Sequence, residues 1–274
     1  MAKKKIIFFV TVGVLVVAFA VSAFMVGNYF IENKRQENLY AQYTKPTETA
    51  FTTEATVPTE ATTAPTEATV PPTEPTILPD LEQYYNDNPD TVGYIEIPGT
   101  KLSYPVVQTP DDRDYYLSRD FTGKSSQYGA IYAELADINE PSDNITLYGH
   151  NMLNGTMFGD LDKYQKKEYW EENQIIFFDT LYERHTYKIF AVFKTNANIG
   201  EGWDYHKFID AENEEDFYYF VKTAKEGRTE GGPVVSFYDT GITPVYGDKL
   251  ITLSTCESTM GANGRFVVCA VRWT

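Results

Sequence analysis

The sequence predicts a mainly β fold in which short strands form a closed or nearly closed barrel. Eight runs rich in β-branched and aromatic residues lie between turn-forming Gly, Pro, Asn and Asp residues. Two amphipathic helical patterns interrupt these runs, and a long apolar stretch stands near the N-terminus. Spacing alone does not distinguish a barrel from a sandwich. The predicted strands are 92–97, 103–108, 129–133, 144–149, 174–179, 185–194, 249–256 and 265–272.

The apolar stretch near the N-terminus predicts a membrane anchor. It runs without interruption over 6–27, which is long enough to cross a bilayer core of about 30 Å. Three lysines precede it, which favours residues 1–5 in the cytoplasm and the remainder outside the cell. A cleaved signal peptide is the alternative, but the stretch exceeds the usual apolar region of about 7–15 residues. We therefore interpret 6–27 as an uncleaved single-pass transmembrane helix.

Residues 28–79 are predicted to be an extracellular linker. From Thr44 to Pro79 the chain consists almost entirely of Thr, Glu, Pro, Ala and Val. Such a composition cannot bury enough apolar surface to offset the entropy of ordering, and the prolines keep it extended. Whether it is a spacer through a cell wall, with or without O-glycosylation, or a simple disordered joint stays open. The globular domain is predicted to span 80–274.

Two composition features limit the classes of ligand. Residues 80–274 carry 32 acidic and 17 basic side chains without a basic stripe, which argues against nucleic acid. No His or Cys cluster has zinc-ligand spacing, and no Gly-rich phosphate loop is present. We expect neither a metal nor a cofactor.

Three segments of the domain have helical patterns. Leu81 to Asn88 is predicted as a short helix at the entrance of the domain, and a second turn pattern follows at about 158–164. The clearest helix has Asp210 as its predicted N-cap and Gly227 beyond its last turn. Its apolar residues follow i, i+3, i+4, i+7 spacing, which we interpret as core contact: Phe217, Phe220, Val221 and Ala224.

The last two predicted strands bring a thiol and a guanidinium together. If Cys256 pairs with Arg265 across the hairpin, the two side chains share one face, with β-carbons about 4.5–5.5 Å apart. A cation in that position favours the thiolate or stabilises an oxyanion formed beside it. Another strand ends at His150, which can share the proton of a thiol. Cys, His and Arg at three strand ends indicate a transacylase or a protease.

The same register argues against a disulfide. It places Cys269 opposite Thr252, four strand residues from Cys256, or roughly 13–14 Å away. A disulfide requires α-carbons within about 7 Å. We therefore expect Cys256 to be a free thiol at a strand end and Cys269 to be a core residue.

Four motifs give the chain a resemblance to the sortases, specifically those of class B. They are TLSTC at 252–256, Arg265 nine residues later, LYGHNM at 147–152 and MFGDLDKY at 157–164. The likeness extends over roughly 81–273. It implies an eight-stranded sortase-type β-barrel with an N-terminal helix and a helix in the long loop before the Cys strand.

The resemblance also implies roles for individual residues. Cys256 would be the nucleophile and His150 the acid–base partner, while Arg265 and the backbone amide of Glu257 would stabilise the oxyanion. Tyr148 and Ser254 each lie two residues before a catalytic residue, and therefore on the same strand face. The expected substrate-binding residues are Tyr148, Ser254, Thr255 and Leu117.

The function that the resemblance implies is transpeptidation at a Gram-positive cell surface. The enzyme would cleave surface proteins after Thr in a C-terminal NPxTx-type sorting signal, through a thioester. The resolving amine would belong to a peptidoglycan cross-bridge, its lipid-linked precursor or a pilin lysine. Two alternatives stay open: a plain cysteine endopeptidase with water as acceptor, and an inactive barrel that serves as a tethered surface binding protein.

Overall fold

The computed structural model describes residues 2–44, 75–109, 111–139, 141–198, 200–228 and 232–273. The chain divides into two units after Thr44. Most of the predicted Thr/Pro/Glu-rich linker, residues 45–74, lies outside the described residues.

The first unit is a single helix, α1 (Ala2–Ala41). Its apolar side chains are exposed, and it is long and apolar enough to cross a membrane. The helix continues beyond the predicted end at Gly27 because the following residues include good helix formers and the pairs Arg35–Glu32 and Lys34–Glu37, at 3.0 and 3.2 Å. The prediction that the linker begins at residue 28 is therefore wrong for 28–41, which are helical.

The second unit is the predicted eight-stranded barrel. Its strands are β1 (Thr91–Glu96), β2 (Ser103–Gln108), β3 (Ile131–Ala133), β4 (Asn144–Tyr148), β5 (Ile175–Thr180), β6 (Arg184–Asn196), β8 (Leu250–Cys256) and β9 (Gly264–Arg272). They pair in the order β5-β1-β2-β3-β4-β8-β9-β6, and β6 pairs back onto β5. This last pairing closes the sheet and leaves no open edge among these eight strands.

A ninth strand, β7 (Val234–Ser236), pairs with β6 outside the closed ring. It was not predicted from the sequence, because Gly232 and Pro233 directly before it indicate a turn. The strands β1 and β5 approach closely at Gly93, where a β-carbon would overlap the carbonyl of Asp179. Glycine is therefore required at this point.

Two of the three predicted helices occur where the sequence placed them, and the pattern at about 158–164 is a 3₁₀ segment followed by a short helix. The helices are α2 (Glu82–Asp87), α3 (Lys167–Glu172), preceded by a 3₁₀ segment at Gly159–Gln165, and α4 (Glu214–Glu226). The N-cap of α4 is Asn213, whose side chain accepts from the Asp216 amide at 3.1 Å. The prediction of Asp210 is wrong, because its carboxylate accepts from the Asp143 amide at 3.0 Å instead. Gly227 ends the helix at φ 72°.

The amphipathic stripe of α4 makes core contacts, as predicted. All four of its apolar residues are buried in a cluster with Trp203, Tyr205 and side chains from β6, β8 and β9. These include Val267 and Cys269 of β9, the strand whose second residue, Arg265, pairs with Cys256. The helix therefore stabilises the same sheet face that carries Cys256.

We expect Phe220→Ala to lower the free energy of unfolding by about 3–5 kcal/mol, because it removes a fully buried aromatic ring and leaves a cavity. Denaturant unfolding of a protein that comprises residues 75–274 would measure this loss. Tyr219→Ala is the matched control, because Tyr219 lies on the same helix with half of its side chain exposed. Equal effects of the two substitutions would contradict the packing of α4.

The globular domain begins before residue 80. The Leu78 amide donates to the Leu181 carbonyl at 2.7 Å, and Asp80 pairs with Arg184 at 2.8 Å. These contacts tie the entering chain to the turn between β5 and β6. The predicted boundary at 80 is therefore a few residues too late.

Candidate active site

The predicted hairpin register is confirmed. Cys256 pairs with Arg265 across β8 and β9, and Thr252 pairs with Cys269. Both cysteines lie in the described part of the chain, and neither forms a disulfide; Cys256 is exposed and Cys269 buried. Burial raises the pKa of the Cys269 thiol to about 12. Cys269 is therefore a protonated core residue at neutral pH, and Cys256 is the thiol that a substrate can reach.

The strand β4 places His150 next to this thiol. Tyr148 pairs with Ser254 in the parallel β4–β8 ladder, so residues 150 and 256 follow at the ends of strands about 4.8 Å apart. The Nε2 atom of His150 lies 2.7 Å from the Leu117 carbonyl oxygen. A carbonyl only accepts hydrogen bonds, so Nε2 is the donor in this contact and Nδ1 is the nitrogen that can exchange a proton with the thiol.

The two predicted oxyanion donors share one acceptor in this structure. Arg265 Nη1 donates to the Gly264 carbonyl oxygen at 2.9 Å, and the Glu257 amide donates to the same oxygen at 2.9 Å. The Glu257 amide continues the β8–β9 ladder, so it is not available to an oxyanion in this geometry, contrary to the sequence expectation. A guanidinium has five N–H groups, so Arg265 retains donors after this bond. Of these two groups, Arg265 is the one with further N–H donors.

The structure places two of the expected substrate-binding side chains in the interior. The Thr255 hydroxyl donates to the Gly149 carbonyl at 2.7 Å, and the residue is buried. The Ser254 hydroxyl is also buried and bonds the Tyr205 hydroxyl at 2.6 Å. Thr255 therefore joins β8 to the residue before His150, and it does not line a groove. Ser254 can influence a groove only through Tyr205.

Of the other two expected substrate-binding residues, Leu117 is exposed and Tyr148 is partly buried. Leu117 has 43% of its surface exposed, and its carbonyl orients His150. The Tyr148 ring stacks on Tyr132, with centroids 5.4 Å apart. Burial and the nearby Tyr205 and Glu134 raise the pKa of Tyr148, so its hydroxyl stays neutral. A surface pocket beside these rings is lined by Glu134, Leu135, Asn144, Thr146, Tyr148 and His206.

Sequence reasoning assigned no role to Tyr205, Asn151 or Asp162. Tyr205 is the buried partner of Ser254, and burial raises its pKa. Asn151 follows His150 directly and donates to the Cys256 carbonyl at 3.0 Å, and its amide also contacts Asp162 at 2.8 Å. The motif that contains His150 already included Asn151, so it could have been found; no local sequence signal indicates Tyr205.

The arrangement combines an accessible thiol, a histidine oriented by a carbonyl and a guanidinium at adjacent strand ends. These groups can attack a carbonyl, transfer a proton to a leaving amine and stabilise negative charge on oxygen. Within the described ranges, no cluster of three or more His, Cys, Asp or Glu residues could hold a metal ion.

Comparison with known proteins finds sortases both by sequence and by structure. The family model of the sortase domain matches residues 95–273. Sortase B of Staphylococcus aureus is 29% identical over 195 residues, covering 71% of this chain and 74% of that protein.

Solved structures of sortase B share the fold. A Staphylococcus aureus sortase B–substrate complex has a TM-score of 0.63 at 29% identity, covering 73% of this chain and 87% of that chain. A sortase B complexed with triglycine also has a TM-score of 0.63 at 29% identity, covering 73% and 88% of the two chains.

Proposed function

Because this chain belongs to the sortase family and is a cysteine transpeptidase of the class B type, we propose that it acts on surface proteins with an NPxTx-type sorting signal. The observation that carries the proposal is the pairing of Cys256 with Arg265 beside the strand that leads to His150. The solved sortase B–substrate complex supports it, because that relative has the same fold.

In the first half of the proposed reaction, the Cys256 thiol gives its proton to Nδ1 of His150, and the resulting thiolate attacks the carbonyl carbon of the Thr of the signal. Arg265 stabilises the resulting oxyanion, because its guanidinium always carries charge and offers several donors. His150 delivers a proton through Nδ1 to the departing amine, and the C–N bond breaks. The product is a thioester between the surface protein and Cys256.

In the second half, an amine attacks the thioester carbonyl and His150 accepts its proton. The sulfur leaves as the thiolate, which restores the enzyme. We propose that the amine belongs to a peptidoglycan cross-bridge or its lipid-linked precursor, or to a pilin lysine. The triglycine complex of a related sortase B supports a glycine-type amine as the first acceptor to test.

Mass spectrometry of residues 75–274 incubated with sorting peptides tests the proposal. We expect cleavage after Thr in an NPxTx peptide, and a transfer product with triglycine or with a lysine-containing peptide. Cleavage with water as the sole acceptor would favour the endopeptidase alternative. An intact peptide panel together with an unreactive Cys256 would favour the inactive-barrel alternative.

We also propose that α1 is a single-pass anchor and that the catalytic domain is extracellular. The exposed apolar length of α1 and the cell-surface role of sortases support this placement. The Thr/Pro/Glu-rich segment would then set the height of the domain above the membrane.

Truncation to residues 75–274 should leave folding and peptide cleavage unchanged, because it keeps the Leu78–Leu181 and Asp80–Arg184 contacts. A truncation that begins at residue 82 removes both contacts and should unfold at a lower temperature. In cells, shortening the segment 45–74 should reduce attachment of large surface proteins while purified-domain kinetics stay the same. Loss of peptide cleavage by the 75–274 protein would contradict the tether interpretation.

A further inference from the structure

The side chain of Asn151 joins three segments of the active site. Its Nδ2 atom lies 3.0 Å from the Cys256 carbonyl oxygen and 2.8 Å from Asp162 Oδ2. An amide nitrogen has two hydrogens, and these two contacts use both of them. The end of β4, the end of β8 and the 3₁₀ segment are therefore held by one side chain.

The bond to Cys256 extends the β4–β8 ladder to the reactive residue. Gly149 donates its amide hydrogen to the Ser254 carbonyl at 3.3 Å, and the Asn151 side chain supplies the next bond along the strand. On the other side, the peptide that follows Cys256 is bonded to Gly264. Asn151 therefore fixes the main chain of the nucleophile directly beside His150.

Asp162 sets the orientation of the Asn151 amide. A carboxylate only accepts hydrogen bonds, so a flipped amide would place its oxygen against Asp162 and against the Cys256 carbonyl. The second carboxylate oxygen, Oδ1, is buried without a hydrogen-bond partner among the residues described. The pKa of Asp162 is raised above its usual value, mainly by burial and also by the charge of Glu257. The hydrogen bond from Asn151 opposes this shift in part.

We propose that Asn151 is a positioning residue that holds the Cys256 backbone in register with His150, and that Asp162 orients it. The proposal rests on the proposed function, because it concerns the geometry of that nucleophile. Misplacement of a reacting group by about 1 Å can lower a rate by about 100-fold. Asn151 would act on kcat through Cys256, without contact to the substrate.

The decisive variant is Asn151→Asp, which keeps the side-chain shape but turns carboxylate oxygens toward two acceptors. We expect its kcat for peptide cleavage to fall by about 100-fold with KM nearly unchanged. Asp162→Asn keeps an oxygen that can accept from Asn151, so its loss should be several-fold. Leu153→Ala is the control, because Leu153 lies in the same loop with its side chain fully exposed.

Alkylation of Cys256 by a thiol reagent across a range of pH supplies a second readout that needs no sorting peptide. Asn151→Asp should change the rate–pH profile, and Leu153→Ala should leave it as in the parent protein. The proposal is overturned if Asn151→Asp has the parent kcat and alkylation profile, or if its loss of activity follows only its unfolded fraction. Failure of the parent protein to cleave any peptide would count against the proposed function, and the alkylation profile would still decide the role of Asn151.

Discussion

Cys256→Ala should lower peptide cleavage by a factor of about 10⁴ or more and should yield no acyl-enzyme. The substitution removes the nucleophile, and a nucleophile that acts together with a base and an oxyanion donor contributes nearly all of the covalent rate enhancement. The exposed position of Cys256, opposite Arg265 at the end of β8, motivates this expectation. Steady-state cleavage of a sorting peptide measures the effect.

Cys269→Ala is the matched control for this substitution. Cys269 is the other cysteine of the chain, and it is buried in the cluster under α4 with its thiol 3.5 Å from the Thr252 hydroxyl. We expect Cys269→Ala to retain cleavage activity and to lose some packing energy. Equal losses of activity in the two variants would contradict the assignment of Cys256 as nucleophile.

Arg265→Lys should lower turnover by about 10²–10³, which is the loss typical of removing one oxyanion-hole donor. Lysine keeps the positive charge but lacks the planar set of donors that lets a guanidinium bond two groups at once. Residue 265 needs several donors because one of its N–H groups already bonds the Gly264 carbonyl. The Glu257 amide bonds the same oxygen and therefore does not replace a lost donor.

Arg272→Lys is the control, because Arg272 lies at the far end of β9, where it contacts His185. This variant should keep nearly normal turnover. Normal turnover in Arg265→Lys as well would show that Arg265 has a structural role alone. A loss in both variants, in proportion to their unfolded fractions, would also contradict the oxyanion role.

The barrel was predictable from the sequence because each of its long strands has its own pattern of apolar residues and its own turn signals. Pairing of Cys256 with Arg265 was an assumed register for the last hairpin, and the structure confirms it. By contrast, β7 was missed because Gly232 and Pro233 directly before it indicate a turn, and the N-cap of α4 was misplaced because Asp210 and Asn213 are both good capping residues.

The composition of the site was less predictable than the identity of its reactive groups. The motifs indicated Cys256 and His150, but no local pattern reveals that Thr255 faces the interior. That fact depends on a contact between segments about 100 residues apart, as does the bond from Asn151 to Cys256. Long-range pairing is therefore the part that sequence reasoning did not supply.

The most direct test of the account is the mass of the cleaved N-terminal product formed in the presence of hydroxylamine. If Cys256 forms a thioester, hydroxylamine intercepts it, and the product carries a hydroxamate on its C-terminal Thr. The account predicts that the hydroxamate fraction rises with hydroxylamine concentration and that Cys256→Ala yields none. A product that carries only a carboxylate at every hydroxylamine concentration would show cleavage without a transferable acyl group, and would contradict the account.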